Sequence, residues 1–592
     1  MTGALLALVA AALVQTAPPP SDAEKLLAGY VARYFAFYPS RATEAGRHDF
    51  DQRLEDPTPA RRAEWLAFQK ETLAAIAATR VVGPTDDEAD LELLERQVAR
   101  EIHDLSVRRR PERDPLWWTG IIGNATVFLL VRDDAPERER RAGAVARAGQ
   151  IPRLAAQARE ALAATPGRLV SKELTAIAAR QARASSEFYR RGFVEAVGGA
   201  KGASASAQKA AAALEQLAAF LEGWRVWGSP ALHADYTEAF RIATGVTTHT
   251  DRVLEEAQTA LRAKTAEAAA YGRGVWGQFF QDPVPTLDRE VLARFFARVA
   301  EDRASTIEEF VQDYRDQIAA LERFLREHDV VTLPETTLWT GASPPFFVGQ
   351  SVGGVYPAGP FAPDAKTLFY VPAPSPTATP EERETLFRAF NHHFNVMITP
   401  HEIFPGHYLQ FKRAAQSPRK ARALFADGVT VEGWGTFCER LLLDLGWGGP
   451  LDRMAHYKKQ LENVARAIVD IRVHTKGWGK DEVVAFVRDE ALQDPQFAGN
   501  MWMRSISTPT QITTYWLGDR KWRDLFEDYR ALRGRDFRVK EFVDRVMGSG
   551  PIPIARVRER LMVDFGDVPA GPFLFRGVSL APEPAASPTP VP

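Results

Sequence analysis

From residue 22 to about residue 330 apolar side chains return every three or four positions in a background of Ala, Leu, Glu and Arg, as at Leu214, Leu217, Leu221 and Trp224. That spacing matches the turn of an α-helix, and the background residues are strong helix formers. An apolar stripe of this kind is stable only when buried against another element, so a run this long is restricted to stacked helices. Ser21 or Asp22 can cap the first of them, and Gly and Pro fall mainly between the periodic runs. The Ala-rich segment from Ala203 to Ala219 is compositionally simple, but Leu214, Leu217 and Phe220 give it an apolar face, so it too is expected as packed helix.

The texture changes from Leu333 to Pro380, where Pro and Gly are frequent and short β-favouring runs occur at Phe346 to Val348 and Thr367 to Val371. A small sheet or irregular loop is expected there. Helical periodicity resumes at Glu381 and continues to about Phe565, with breaks near Gly446 to Pro450 and Asp494 to Gly499. The expected fold is therefore mainly α, a large helical body with a small β element near its cleft.

The two ends differ from this body. Met1 to Ala17 contains an apolar run from Ala4 to Val14, too short to cross a bilayer and suited to a signal peptide, and no later run is long and apolar enough to cross one. The expectation is an exported, periplasmic or extracellular protein with no stable membrane insertion. Pro582 to Pro592 has almost nothing to bury and is expected to be disordered. Residues 18–581 then form one helical domain, with the chemistry in the half from about 335 to 565.

Lys and Arg number 74 against 76 Asp and Glu, so no net field favours nucleic acid or an anionic membrane, and specificity must reside in a local site. Cys438 is the only cysteine, which excludes an intramolecular disulfide and a cysteine-rich metal site. It sits in an apolar stretch and reads as a small core residue.

Six of the eleven histidines fall between His392 and His474. Two of them frame the segment His401-Glu402-Ile403-Phe404-Pro405-Gly406-His407, which offers two imidazoles and a carboxylate, ligand types that zinc favours. Six positions on an unbroken α-helix would leave the two histidines roughly 120° apart around its axis. Pro405 and Gly406 supply the remedy, since proline breaks the hydrogen-bond ladder and glycine admits unusual dihedrals, so the helix is expected to be distorted or to begin there.

A third ligand is expected from another helix, and Glu432 is the candidate: 24 residues separate it from His407, enough for one helix to end and a second to return beside it. Glu432, Thr436 and Glu439 share a helical face, which places Glu439 to hydrogen-bond and orient a ligand. Three ligands, His401, His407 and Glu432, leave a coordination position for water.

The segments Phe37 to Asp51 (FYPSRATEAGRHDFD), HEIFPGH, VEGWGTFCE and Arg504 to Gly518 (RSISTPTQITTYWLG) resemble the bacterial family known as domain of unknown function 885, over nearly the whole mature chain. That family is similar to helical gluzincin peptidases such as thimet oligopeptidase, angiotensin-converting enzyme and carboxypeptidase Taq. The resemblance implies a helical body around a deep active-site channel, a zinc cofactor and short peptides as substrate. Family members commonly read EGWALY where this chain has Glu432 to Phe437, EGWGTF, a difference that keeps the ligand glutamate.

Around the metal, Arg466, Asp470 and His474 form one helical stripe in which Asp470 is expected to fix the tautomer of a cleft-facing His474. Tyr515 ends a segment resembling a family motif with an aromatic hydroxyl and is expected to stabilise an oxyanion, with His474 assisting. Arg504 and Gln511 are candidates for binding a substrate carboxylate or backbone. His392 and His393 are candidates for lining the cleft, and Tyr356 with Gly353-Gly354 for a substrate-binding edge. The expected activity is hydrolysis of peptide bonds by metal-activated water, with Glu402 as general base and then as acid for the leaving amine. Two alternatives stand beside it: a zinc hydrolase of non-peptide amides, and a catalytically silent peptide-binding protein, which would have no use for Glu402.

Overall fold

A computed structural model describes residues 19–563 except 81–82, 336, 345–352 and 375–377. The signal-peptide segment, the Pro-rich tail and the Phe346 to Val348 run lie outside the described residues.

The expected helices are present. The first, α1 (Asp22–Phe37), is capped by Ser21, whose hydroxyl accepts from the Glu24 N–H while the Glu24 carboxylate accepts from the Ser21 N–H. Further along, α2 (Lys172–Arg191) packs on α3 (Ala203–Gly223), the Ala-rich segment, through buried Ala210, Leu214, Leu217 and Leu221. Trp224 lies one residue past the end of α3. Alanines let the two backbones approach closely, which is why this segment can be poor in large side chains and still pack.

Two long helices lead to the central half, α4 (Thr250–Val275) and α5 (Ile307–Glu327). The β element is a three-stranded sheet of β1 (Leu338–Ala342), β2 (Gly354–Tyr356) and β3 (Thr367–Val371). The order is β1-β3-β2, with β1 parallel and β2 antiparallel to the central strand. Every residue of β3 is buried, as a central strand covered on both faces requires. A cavity of about 540 Å³ opens beside β1, lined by residues that include Thr337, Trp339 and Lys366 and by none of the expected metal ligands.

The half that carries the motifs is built from α6 (His392–Glu402), α7 (His407–Gln416), α8 (Gly428–Asp444), α9 (Pro450–Lys476), α10 (Pro495–Ser507) and α11 (Thr514–Arg533). The expected break between α8 and α9 is where Gly446 to Pro450 placed it. The other lies earlier than expected: Asp494 is the N-cap of α10 and Pro495 its first residue, so this segment starts a helix. Proline at the first helical position lacks only an N–H that would have had no intrahelical partner, which is why the Pro that suggested a break is an initiator. The last described helix ends at Met562, close to the expected limit of the periodicity.

The largest apolar cluster runs through these helices and α4 and α5, from Ala89 to Met562. Among the described residues no helix is long and apolar enough to cross a membrane.

Candidate metal centre

The helix carrying the motif stops at Glu402, and a new one starts at His407, the Ile403 to Gly406 link containing a cis Phe404–Pro405 peptide. Gly406 is required by proximity: a Cβ there would lie 1.9 Å from the His401 carbonyl oxygen. The Trp434 indole N–H donates to the Pro405 carbonyl at 2.8 Å, tying this link to α8. Interrupting the helix brings the two rings together edge to face, with centroids 4.6 Å apart and planes at 83°.

Helix α8 brings Glu432 against them. Its Oε2 lies 3.7 Å from His401 Nε2 and 3.5 Å from His407 Nε2, and the ligand atoms of all three residues lie within 4.8 Å of one another. These separations are long for hydrogen bonds. They are close to the roughly 3.3–3.5 Å between neighbouring ligand atoms of a tetrahedron whose metal–ligand bonds are about 2.0–2.1 Å, so the residues fit a zinc ion. Among the described residues this is the only such His and carboxylate cluster.

Glu439, fully buried two turns along α8, accepts from His401 Nδ1 at 2.8 Å and from His456 Nδ1 at 3.2 Å. Burial works to raise its pKa, but the two histidines outweigh it and hold the carboxyl down at about 2. In the protein alone burial likewise opposes charge on His401, yet Glu432 and Glu439 hold its pKa up at about 10. Burial works to raise the Glu432 carboxyl too, but His401 and His407 hold it well below the usual range. The pocket thus favours positive charge between its carboxylates, which a divalent cation supplies in place of protons. The Nδ1 of His407, by contrast, is buried with no hydrogen-bond partner among the described residues. Replacing Glu439 by Gln is expected to lower zinc affinity about 10–100-fold, read by competition with a chelating dye. Unchanged affinity would remove Glu439 from the site.

Close backbone packing sets the distance from α8 to α11. Gly433 and Gly518 face each other, and a Cβ on Gly433 would sit 2.3 Å from the Gly518 Cα. Gly435 is the position where the family commonly has alanine. In this chain the His401 ring fills the space, with three of its atoms 2.8 Å from where a Cβ would be.

The crossing places Gln511 and Tyr515 at the cluster. The Gln511 amide N–H donates to Glu432 Oε1 at 3.2 Å, and its oxygen accepts from Arg504 at 2.7 Å. Gln511, expected to bind substrate, has its amide taken up between Glu432 and Arg504. Arg504 also donates to the Tyr515 hydroxyl at 3.1 Å, and the Arg466 guanidinium lies 4.5 Å over the Tyr515 ring. Burial, with Glu432 nearby, raises the pKa of the Tyr515 phenol, so it stays protonated and able to donate. Glu402 is half-buried at the end of α6; burial raises the Tyr314 phenol well above the usual range and the Glu402 charge adds to this.

Two expectations are corrected here. His474 does not face a cleft: it is fully buried and stacked on Tyr236, its Nδ1 accepting from the Leu232 N–H and its Nε2 donating to the Ser505 carbonyl. Both ring nitrogens are committed to backbone, and burial drives the pKa to about 3, so it is a neutral packing residue with no proton to trade. Asp470 does not set its tautomer, since the closest approach is 3.9 Å. Asp470 instead accepts from the Tyr236 and Ser505 hydroxyls and from the Thr510 N–H. Burial outweighs these bonds and lifts the Asp470 carboxyl to about 7. Thr510 has φ +74°, uncommon for a β-branched residue, and Asp470 pins it where the chain turns into Gln511 to Tyr515.

His392 and His393 pair with Asp313 and Asp452 through Nδ1 at 2.8 and 2.7 Å, and neither joins the cluster of His401, His407 and Glu432. Tyr356 packs against Tyr370 on the sheet, and Gly353 and Gly354 both have positive φ. Cys438 is fully buried, and burial pushes its thiol well above the usual range. His456 was not singled out by the sequence, because its partnership with Glu439 crosses between helices and leaves no spacing signal.

Fold and cluster together define a mainly α protein with a centre of two buried histidines and a partly buried glutamate suited to a divalent metal. The chain belongs to the family described as bacterial protein of unknown function (DUF885), whose pattern matches residues 39–561. Among solved structures it is similar to a candidate lipoprotein of unknown function from Shewanella oneidensis, with TM-score 0.73 and 23% identity over 92% of this chain and 100% of that one. It is also similar to a candidate lipoprotein from Colwellia psychrerythraea, with TM-score 0.75 and 15% identity over 91% of this chain and 98% of that one. At these identities the likeness shows the fold alone. None of the curated proteins matches the chain.

Proposed function

We propose that this protein is a zinc-dependent hydrolase of peptide bonds in short peptides, akin to the gluzincin peptidases. The observation that carries the reading is the convergence of His401 Nε2, His407 Nε2 and a Glu432 oxygen, with the Glu402 carboxylate next to it in the chain. A zinc ion held by these three side chains would polarise a carbonyl and acidify a water beside it. Glu402 accepts the proton from that water, whose oxygen joins the carbonyl carbon. As the C–N bond breaks, Glu402 returns the proton to the departing amine. Because the Tyr515 oxygen already accepts from Arg504, its own proton is free to be donated to the oxyanion.

Export to the periplasm or cell surface is part of this reading, supported by the description of both structural neighbours as candidate lipoproteins.

The test pairs metal analysis with digestion of a defined peptide mixture, with and without chelator. About one zinc per chain and chelator-sensitive cleavage are expected; metal-free protein, or cleavage that survives chelation, would defeat the proposal. Tyr515→Phe is expected to lower turnover about a hundredfold with zinc content unchanged, and full turnover would remove Tyr515 from the oxyanion role.

A further inference from the structure

Beside the candidate metal centre lies a group of charges whose only part in the proposed reaction is the Arg504 bond to Tyr515. Lys459 and Arg466 on α9 share one carboxylate, Glu462, at 3.1 and 2.6 Å. Arg504, on α10, faces the same region and pairs only with neutral groups, the Gln511 amide oxygen and the Tyr515 hydroxyl. Glu432 and Glu462 act on Arg504 only from a distance, and with Glu432 committed to the candidate metal centre, three cations share Glu462; among the described residues Arg504 has no carboxylate within ion-pair distance. Lys459, Glu462 and Arg466 are buried and Arg504 is half-buried, where unbalanced charge is costly and an incoming anion is correspondingly favoured. Both bonds of Arg504 use Nη2, which leaves Nε and Nη1 to donate to a ligand.

We infer that Arg504, backed by Arg466 and Lys459, receives the C-terminal carboxylate of the substrate, so that the enzyme is an exopeptidase that removes residues from peptide C-termini. This deepens the peptidase reading and rests on it. The spacing supports it: the Arg504 nitrogen is 3.1 Å from the Tyr515 hydroxyl assigned to the oxyanion, and a single amide side chain links it to Glu432. In a peptide about to lose its last residue, only that residue's N and Cα separate the scissile carbonyl carbon from the terminal carboxylate, on the order of 4 Å. A substrate extending further would lay a neutral peptide group against this excess positive charge. Gln511 is a positioning residue here, holding Glu432 and Arg504 in register.

The test uses the zinc-loaded full chain and two N-acetylated pentapeptides that differ only in a free or an amidated C-terminus. The free acid is expected to lose single residues from its C-terminus, and the amide to be cut about a hundredfold more slowly. Arg504→Gln should bring the acid-to-amide ratio close to one, mainly through KM for the acid, and Arg504→Lys should keep part of the preference. Equal rates on the two peptides, or cleavage at internal bonds, would overturn the inference. Equilibrium binding of the same peptides to Glu402→Gln separates it from the peptidase reading. If neither peptide is cut by wild-type protein yet the acid binds at least about tenfold tighter in an Arg504-dependent way, the carboxylate site stands and the peptidase reading falls. Equal or absent binding of the two overturns the site.

Discussion

Glu402→Gln is expected to keep its zinc and its fold while losing turnover by a factor of about a hundred to ten thousand, towards the upper end because one side chain serves as base and then as acid. Glutamine matches glutamate in size and in much of its hydrogen bonding but cannot accept a proton from water. Glu402 is not among the three residues whose ligand atoms converge, and the supports of the cluster, Glu439 and Gln511, hydrogen-bond to His401 and Glu432. Metal content measured by atomic absorption and peptide turnover should therefore come apart. Cleavage close to the wild-type rate would eliminate the mechanism. Loss of zinc would make Glu402 a ligand and cast doubt on His407, the histidine on the far side of the helix interruption. The same variant separates the enzyme from a silent peptide-binding protein, in which it should change nothing.

The second large effect is expected from the histidines. His401→Ala or His407→Ala removes one of three ligands, and stoichiometric zinc should be lost, with turnover falling to background. The two need not be equal. His401 is held from behind by Glu439, so His401→Ala also strips that carboxylate of one of its two donors and should lower Tm. The His407 Nδ1 has no comparable partner among the described residues, so His407→Ala should lose metal with less cost to the fold. Zinc retained by both variants would refute the ligand assignment.

How much of this was legible in advance follows from the range over which each signal acts. The interruption between His401 and His407 could be derived because it depends on two adjacent residues, Pro405 and Gly406, and on helix geometry alone. The pairing of Glu439 with His401 needed only the face shared by Glu432 and Glu439, plus one neighbouring helix. The stripe Arg466, Asp470 and His474 failed as a guide because α9 is buried nearly all round, 21 of its 27 residues, so position on the helix does not say which side looks toward the metal. Arg466 meets the Tyr515 ring, Asp470 sits under Thr510, and His474 is closed in by Tyr236 and two backbone groups.

The sequence by itself determined the helical class, the β insertion at Thr367 to Val371, the broken motif helix and the identity of the candidate ligands, because each is written in residue type and short-range spacing. Only the tertiary structure decided that Gln511 holds Glu432, that His456 shares Glu439, that His474 is neutral and enclosed, and that Arg504 has no carboxylate partner among the described residues. These depend on which helices cross and how closely, as at Gly433 and Gly518, where two absent side chains let α8 and α11 touch. A local pattern records what a residue can do; the crossing of two helices decides which neighbour it does it with.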